Sequence, residues 1–268
     1  MRTARVAAIM FLVVLAAGCV FTGSLTPASY AEQFRDMPDA PCSRSHPLGT
    51  DDLGRDRLTR LLYGTRVSLV LAPTAALLAT LLAGLIGASA GFIGGWFERC
   101  VMAATDLVLA MPWFFLLITV RALMPLNVAP LTSVTITFAL LGLLGWAGAA
   151  RVVCADARTL CGSDIVLLAR ACGTSAVRLL WRHVLPNLKP VLYAQFWISI
   201  PVFILTEANL GMLGLGVAEP LPSWGSLLRE LESYSTGTSG PWVFAPLILL
   251  IITVSCFQLA VRKEEIRA

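Results

Sequence analysis

A chain of 268 residues in which 57% are hydrophobic and only 13% charged, with a mean hydropathy of +0.79, has too little polar surface to enclose a soluble globule of its size. Its 20 basic residues stand against 16 acidic ones, a net +4 dealt out between apolar runs rather than gathered on one face, which argues against nucleic acid as a partner and for an integral membrane protein in contact with the lipid bilayer. Seven cysteines without a Cys-x-x-Cys pair, and two histidines in separate loops (His46 and His183), offer neither a disulfide framework nor a metal-ligand set.

Val6 to Val20 follows Arg2 and Arg5 as the apolar core of a signal peptide would, and Ala16, Ala17, Gly18 and Cys19 imitate a lipoprotein cleavage box. Five further apolar runs make a lipid anchor redundant, so residues 1–22 are read as an uncleaved first span. Residues 23–66, rich in Pro, Ser and Asp, form an extracytoplasmic segment. Near its end Gly49, Thr50 and Asp51 give a turn and cap signal. Leu58, Leu61 and Leu62 then put an apolar stripe on a short interfacial helix with Arg57 and Arg60 opposite. The expectation is a solvated amphipathic helix leading into the next span, with contact to substrate as the alternative.

Further spans are expected at about 67–94, 101–124, 128–153, 191–210 and 242–261. In the second, Gly84, Gly87, Gly91 and Gly94 recur at spacings that open a strip for close helix approach. Asp106 lies near the start of the third. Glu207 and Asn209 lie near the far end of the fifth, which Pro201 either kinks to make room for a pathway or interrupts without consequence. An ionisable group at membrane depth is a candidate functional site by default, although near an interface, as for Asp106, it can also snorkel or cap a helix. Trp242 marks one interface of the sixth span, and Arg262, Lys263 and Arg267 of the tail 262–268 mark the other.

Between the fourth and fifth spans, residues 154–190 break the apolar pattern with a long basic segment. Ser163 and Asp164 suit a helix start, Ile165 to Cys172 reads as a short helix, and Gly173 takes the left-handed turn that ends it. Thr174 and Ser175 cap a second helix, basic through Arg178, Arg182 and His183, until Pro186 stops or kinks it. Placing this loop and both termini in the cytoplasm puts Arg151, Arg158, Arg170, Arg178, Arg182, Lys189 and the basic tail inside, as the positive-inside rule requires.

This layout is similar to the cytoplasmic loop of ABC-importer membrane subunits, whose pattern is Glu-Ala-Ala, then a glycine, then Leu-Pro about a dozen residues on. Ala169, Arg170, Ala171, Gly173, Leu185, Pro186 and Asn187 match its peptide and nickel branch, while Leu167 and Leu168 stand where that branch has Glu and Ala. His46 to Leu69, Asp106 to Pro112 and Leu210 to Trp224 resemble the same branch, in the expected order. The resemblance implies an all-α, six-span polytopic permease subunit of the bacterial inner membrane. It would be paired with a second permease subunit, two ATP-binding cassette ATPase subunits and an extracytoplasmic substrate-binding protein. The cargo would be di- or oligopeptides, or alternatively nickel or another metal chelate. It also implies that Asp164, Ile165, Leu168, Ala169, Arg170, Ala171, Cys172, Gly173 and Pro186 belong to the ATPase-coupling loop. Ile165, Leu168, Ala169 and Cys172 would be its docking face. No G-x-x-x-x-G-K-[ST] loop occurs in the chain, so ATP and Mg belong to the partner subunits and no cofactor is expected here. A membrane-embedded enzyme using Asp106, Glu207 or His183 is the reading from a different class. These groups sit on different segments, with no nucleophile or metal constellation beside them.

Overall fold

The computed structural model describes residues 2–26, 29–123, 129–231 and 241–261. The tail 262–268 and most of the expected turn between the third and fourth spans lie outside these residues. Apolar runs in hydrocarbon must satisfy every backbone N–H and C=O within the segment, and the chain answers with helices throughout. They are α1 (Arg2–Val20), α2 (Thr22–Leu25), α3 (Arg57–Ile93), α4 (Gly95–Ala110), α5 (Trp113–Ala122), α6 (Pro130–Leu144) and α7 (Ala147–Cys161). Then follow α8 (Asp164–Ala171), α9 (Ala176–Leu179), a π-helical turn (Leu180–Val184), α10 (Leu185–Met212), α11 (Trp224–Arg229), a 3-10 turn (Pro241–Phe244) and α12 (Ala245–Val261). Among the described residues the sole β feature is an isolated bridge between Thr50 and Asp56.

Four stretches are long and apolar enough to cross a bilayer: Arg57–Ile93, Pro130–Cys161, Ala176–Met212 and Pro241–Val261. Gly95–Ala110 and Trp113–Ala122, bent by 69°, make a fifth if taken as one broken span, and the apolar stretch of α1, Thr3–Cys19, is shorter. The all-helical membrane architecture is therefore as expected, but several boundaries differ. The third span, expected unbroken over 101–124, breaks at Met111, whose ψ of 132° is the extended conformation that a following proline imposes. Helix α3 starts at Arg57 rather than 67, because Asp56 caps it: its Oδ2 accepts from the Thr59 backbone N–H at 2.8 Å and the Thr59 hydroxyl at 2.6 Å. The loop 154–190 is mostly helix, since the fourth span runs on to Cys161 and the fifth begins at Ala176. Pro186 does not stop the chain. The preceding π-helical turn widens the ladder to an i→i+5 bond, Leu185 N–H to Leu180 O, and the Asn187 amide donates to His183 O at 2.6 Å, so carbonyls near the proline find other donors.

The chain divides into two compact units, residues 1–72, 118–138 and 201–268, and residues 73–117 and 139–200. The division passes through α3 at Pro73 and α10 at Pro201, positions where a helix lacks one backbone hydrogen bond. Helix α10 runs through Pro201 without interruption.

In the second unit, α7 buries Ala147, Ala150, Val153, Cys154 and Ala157. Facing it are two of the four glycines of the α3 strip: a Cβ on Gly87 would come 2.5 Å from Ala150 O, and one on Gly91 would come 2.4 Å from Cys154 O. Gly84 lies against Leu192, whereas Gly94 has open space around it and ends α3 at φ +70°. Below this contact Ala88, Val153, Ala157, Val166, Leu179, Val184 and Leu188 form a buried core that includes residues of the central loop. On a neighbouring face of α3, Leu77, Leu81 and Leu85 are exposed at four-residue spacing, an apolar stripe suited to lipid. Gly91→Leu should force α3 and α7 apart and cost at least the 1–3 kcal/mol of typical overpacking, read as a lower thermal midpoint in detergent. Gly148→Leu, where nothing lies within 4 Å of the new Cβ, serves as the control and should shift it far less.

In the first unit α1 packs against α12. Trp224, fully buried, donates from Nε1 to Thr65 Oγ1 at 3.0 Å, tying α11 to α3. Gly211 and Gly225 let α10 and α11 touch backbone to backbone, since a Cβ on Gly211 would fall 2.3 Å from Gly225 Cα.

Candidate functional site

Helix α8 begins after Ser163, whose backbone has cap geometry although its hydroxyl turns back to Leu160 O at 2.6 Å. It ends in a Schellman turn: Thr174 N–H reaches Ala169 O at 3.2 Å and Gly173 N–H reaches Arg170 O at 3.0 Å, with Gly173 at φ +77°. One residue, Val166, is fully buried and beds α8 on the core described above, with Ala169 packed partly against the same core. The rest of the helix faces outward. Ile165, Leu167 and Leu168 are exposed, as are Val177 and Trp181 across the turn, so a contiguous stretch of chain presents five large apolar side chains. Asp164, Arg170, Ala171, Cys172 and Gly173 are exposed with them, and Pro186 is exposed on α10. Of the expected docking face, Ile165, Leu168 and Cys172 point outward; Ala169 turns inward and Leu167 takes its place at the surface.

The intramembrane polar residues do not come together. Asp106 pairs with Arg151 of α7 at 3.0 Å, with both side chains about half exposed, which makes it a surface ion pair joining α4 to α7. Glu207 is fully buried near the end of α10. The hydroxyls of Ser223 and Ser68 and the Gly225 N–H face its carboxyl, but neither oxygen closes a hydrogen bond of normal geometry. Asn209, two residues on, is exposed on another side of the helix.

Two groups escaped the sequence reading. The first is a cluster at the start of α3, where Arg57 and Arg60, expected to be solvated, are 7% and 1% exposed. Arg55 Nε meets Asp51 Oδ2 at 2.6 Å and its Nη1 meets Glu219 at 2.7 Å; Arg60 Nη2 meets Glu219 at 3.2 Å. Arg57 lies 3.4 Å from Asp39 and 3.5 Å from Glu230. His46 Nδ1 holds Asp56 at 3.0 Å. Burial alone would lower the Arg55 guanidinium, but Asp51 and Glu219 outweigh it and hold it above its ordinary value. Burial pushes the Glu230 carboxyl up to about 7 against the pull of Arg60, helped by Asp51 and opposed also by Arg57 and Arg55. These arginines share a helical face with buried Leu61, since 57, 60 and 61 fall at i, i+3 and i+4.

The second is Arg121 in the last turn of α5, the one basic residue of an otherwise apolar helix. It donates to the backbone carbonyls of Leu215, at 2.8 Å, and Gly216, and to the Ser133 hydroxyl. A lone arginine in an apolar run is a legible signal.

Residues 66–262 match the family described as the binding-protein-dependent transport system inner membrane component. The chain belongs to that family. Among curated relatives, it is 30% identical over 253 residues to the dipeptide transport system permease protein of Bacillus subtilis, covering 93% of this chain and 75% of that one. It is 30% identical over 259 residues to the oligopeptide transport system permease protein of Mycobacterium tuberculosis, covering 96% and 86%. The glutathione transport system permease protein of Pectobacterium atrosepticum is 32% identical over 257 residues, covering 95% and 82%. The family region of this inner membrane component takes in α8 and its Schellman turn, Asp106, Arg121, Glu207 and Asn209. Asp51, Arg55, Arg57 and Arg60 precede it, but the relatives match nearly the whole chain, so the likeness reaches past the family region toward the cluster at the start of α3.

Proposed function

We propose that this chain is one of two membrane subunits of an ATP-driven ABC importer for di- or oligopeptides. It would work with two ATPase subunits that carry ATP and Mg and with an extracytoplasmic binding protein that delivers cargo. In this reading six spans cross the inner membrane, with α1 as the first and the α4–α5 pair as one broken span. Residues 23–66 lie outside, and both termini and the loop around α8 lie in the cytoplasm. The chain itself performs no catalysis and holds no cofactor. The peptide cargo is supported by the names of the relatives.

The observation that carries the coupling role is α8, a short helix bedded by Val166, stopped by a glycine turn and left with Ile165, Leu167 and Leu168 exposed. Such a surface is costly in water and complete only when a partner covers it. A cleft in an ATPase subunit is the occupant proposed, with Asp164, Arg170 and Cys172 around the apolar contact. Because Val166 and Ala169 sit in the core that α7 and α10 share, a displacement of α8 is passed to two spans at once. Leu167 and Leu168, where the branch carries Glu and Ala, call for an apolar pocket on the cognate ATPase rather than a charged one.

Topology tests the reading with residues already in place, since Cys42 and Cys172 are both exposed and Cys161 partly so. In single-cysteine variants in intact cells, a membrane-impermeant thiol reagent should label Cys42 and spare Cys161 and Cys172. Outside labelling of Cys172 would invert the topology and remove α8 from the ATP side. Proteoliposomes holding both permeases and the ATPases should take up peptides only with ATP inside and the binding protein outside.

A further inference from the structure

The loop that follows α10 is tied at both ends, and the ties form one line. At its start a second Schellman turn closes α10: Leu215 N–H reaches Leu210 O and Gly214 N–H reaches Gly211 O, both at 2.9 Å, with Gly214 at φ +75°. The next carbonyls, of Leu215 and Gly216, are held by Arg121 of α5. Ser133 of α6 accepts from Arg121 and also from the Ala218 N–H at 3.3 Å. The next residue, Glu219, reaches Arg55 and Arg60, and Arg55 in turn is locked to Asp51 by its Nε at 2.6 Å and its backbone N–H at 2.7 Å.

Between the carbonyl held by Arg121 and the carboxylate held by the arginines there are only two residues, Val217 and Ala218, and Ala218 is itself pinned. With Leu215, Gly216 and Ala218 held by their backbone and Glu219 by its carboxylate, Val217 is the one residue of this short loop outside these bonds, which restricts how far the loop can shift alone. Moving the backbone at Glu219 therefore strains the bonds at 215–218 or carries α5 and α6 with it. The end at Glu219 is accessible, its side chain 54% exposed, while Arg60 beneath it is 1% exposed. A partner can touch Glu219 without entering the protein.

We propose that Arg121 and Glu219 are positioning residues at the two ends of a strut, residues 214–219, that carries docking of the binding protein on the outer segment to α5 and α6 within the membrane. The proposal rests on the importer reading and on residues 23–66 lying outside. Glu219 senses displacement of the Asp51 to Arg60 segment. Arg121 turns it into movement of the second limb of the broken span, because its planar guanidinium grips two successive carbonyls where a point charge would hold one. A brace with no part in signalling would carry the same hydrogen bonds, and the two roles separate in a coupling measurement.

The test uses the full complex, two permeases with two ATPases, in lipid nanodiscs. ATP hydrolysis is measured with and without the binding protein, which is loaded from a tryptic digest of casein. Arg121→Gln and Glu219→Gln should each cut binding-protein stimulation by about tenfold, within the range of allosteric coupling, and leave the unstimulated rate unchanged. The double variant should be no worse than the poorer single one, because both break one strut, and Arg121→Lys should fall in between. Undiminished stimulation in the single variants overturns the proposal. So does a double variant whose loss is the product of the two single losses, since independent sites behave that way. If Arg121→Gln does not assemble, Ser133→Ala, which removes a single hydroxyl from the same line, is read against the same outcomes. An unmodified complex that the binding protein does not stimulate overturns the importer reading and the strut with it, whereas stimulation retained in the variants overturns the strut alone.

Discussion

Gly173→Val should leave the spans inserted and the chain folded, yet lower peptide uptake by about tenfold or more. The reasoning is purely conformational. Gly173 sits at φ +77°, and a Cβ there would meet nothing within 4 Å, so no packing is disturbed. What the side chain changes is the backbone. An L-residue in the left-handed region costs roughly 1–2 kcal/mol, and a β-branched one more, which is enough to open the two bonds that close the Schellman turn. Once open, the last turn of α8 frays and the angle between α8 and α9 is no longer fixed. Ile165, Leu167 and Leu168 then lose their common aim. Gly173→Asn, which tolerates this region, should retain most uptake, and Gly173→Ala should fall between the two. Leu168→Asp tests the face rather than the turn, and should weaken co-purification of the ATPase while leaving thermal stability unchanged, because Leu168 is 68% exposed. Ala169 is the wrong probe for docking: it packs against the Val166 core, and a large residue there would report on folding. Uptake at the unmodified rate in both Gly173→Val and Leu168→Asp, with the ATPase still bound, would show that α8 does not couple the subunits.

The contrast between α8 and the arginine cluster at the start of α3 shows what a sequence carries. The α8 turn was legible because its signals are local: Ser163 and Asp164, a short apolar period and Gly173 lie within eleven positions, and each has a steric reason. Gly87 and Gly91 were legible for the same reason, since a strip of missing side chains implies a neighbour even when the neighbour is unknown. Arg57 and Arg60 were misread. Helical geometry alone puts them beside Leu61, but placing them in solvent was the natural assumption while their partners Glu219 and Glu230 stood more than 150 residues away. A buried arginine is stable only with such partners, and nothing local announces them. The extent of the central loop is less legible, because a proline such as Pro186 can either stop a helix or kink it and its neighbours in sequence do not say which. A π-helical turn, which no composition rule signals, lets the helix pass through it. The break at Met111, by contrast, follows from a rule already at hand, the restriction that Pro112 imposes on the residue before it.

Glu207→Gln should assemble with the other subunits in normal amount and transport several-fold to about tenfold more slowly. The carboxyl is fully buried at the junction of three elements, with Ser68 of α3 on one side and Ser223 and the Gly225 N–H at the start of α11 on another. A carboxyl group offers these donors two acceptor oxygens, while glutamine offers one oxygen and an NH2 that must face a donor. One of the contacts becomes unfavourable, at roughly 1 kcal/mol, but the side chain keeps its volume and the close approach of Gly211 to Gly225 is undisturbed. Glu207→Ala differs in kind. It leaves a cavity where the fully buried carboxyl filled the junction, which costs about 2–5 kcal/mol and should deplete the assembled complex. Asn209→Ala is the control, since Asn209 is exposed and takes no part in the junction. Measured on purified complexes at equal permease content, the Gln variant separates geometry from occupancy. If it assembles fully and transports at the unmodified rate, the carboxylate chemistry of Glu207 has no role in transport and the residue serves only to fill the space between α3, α10 and α11.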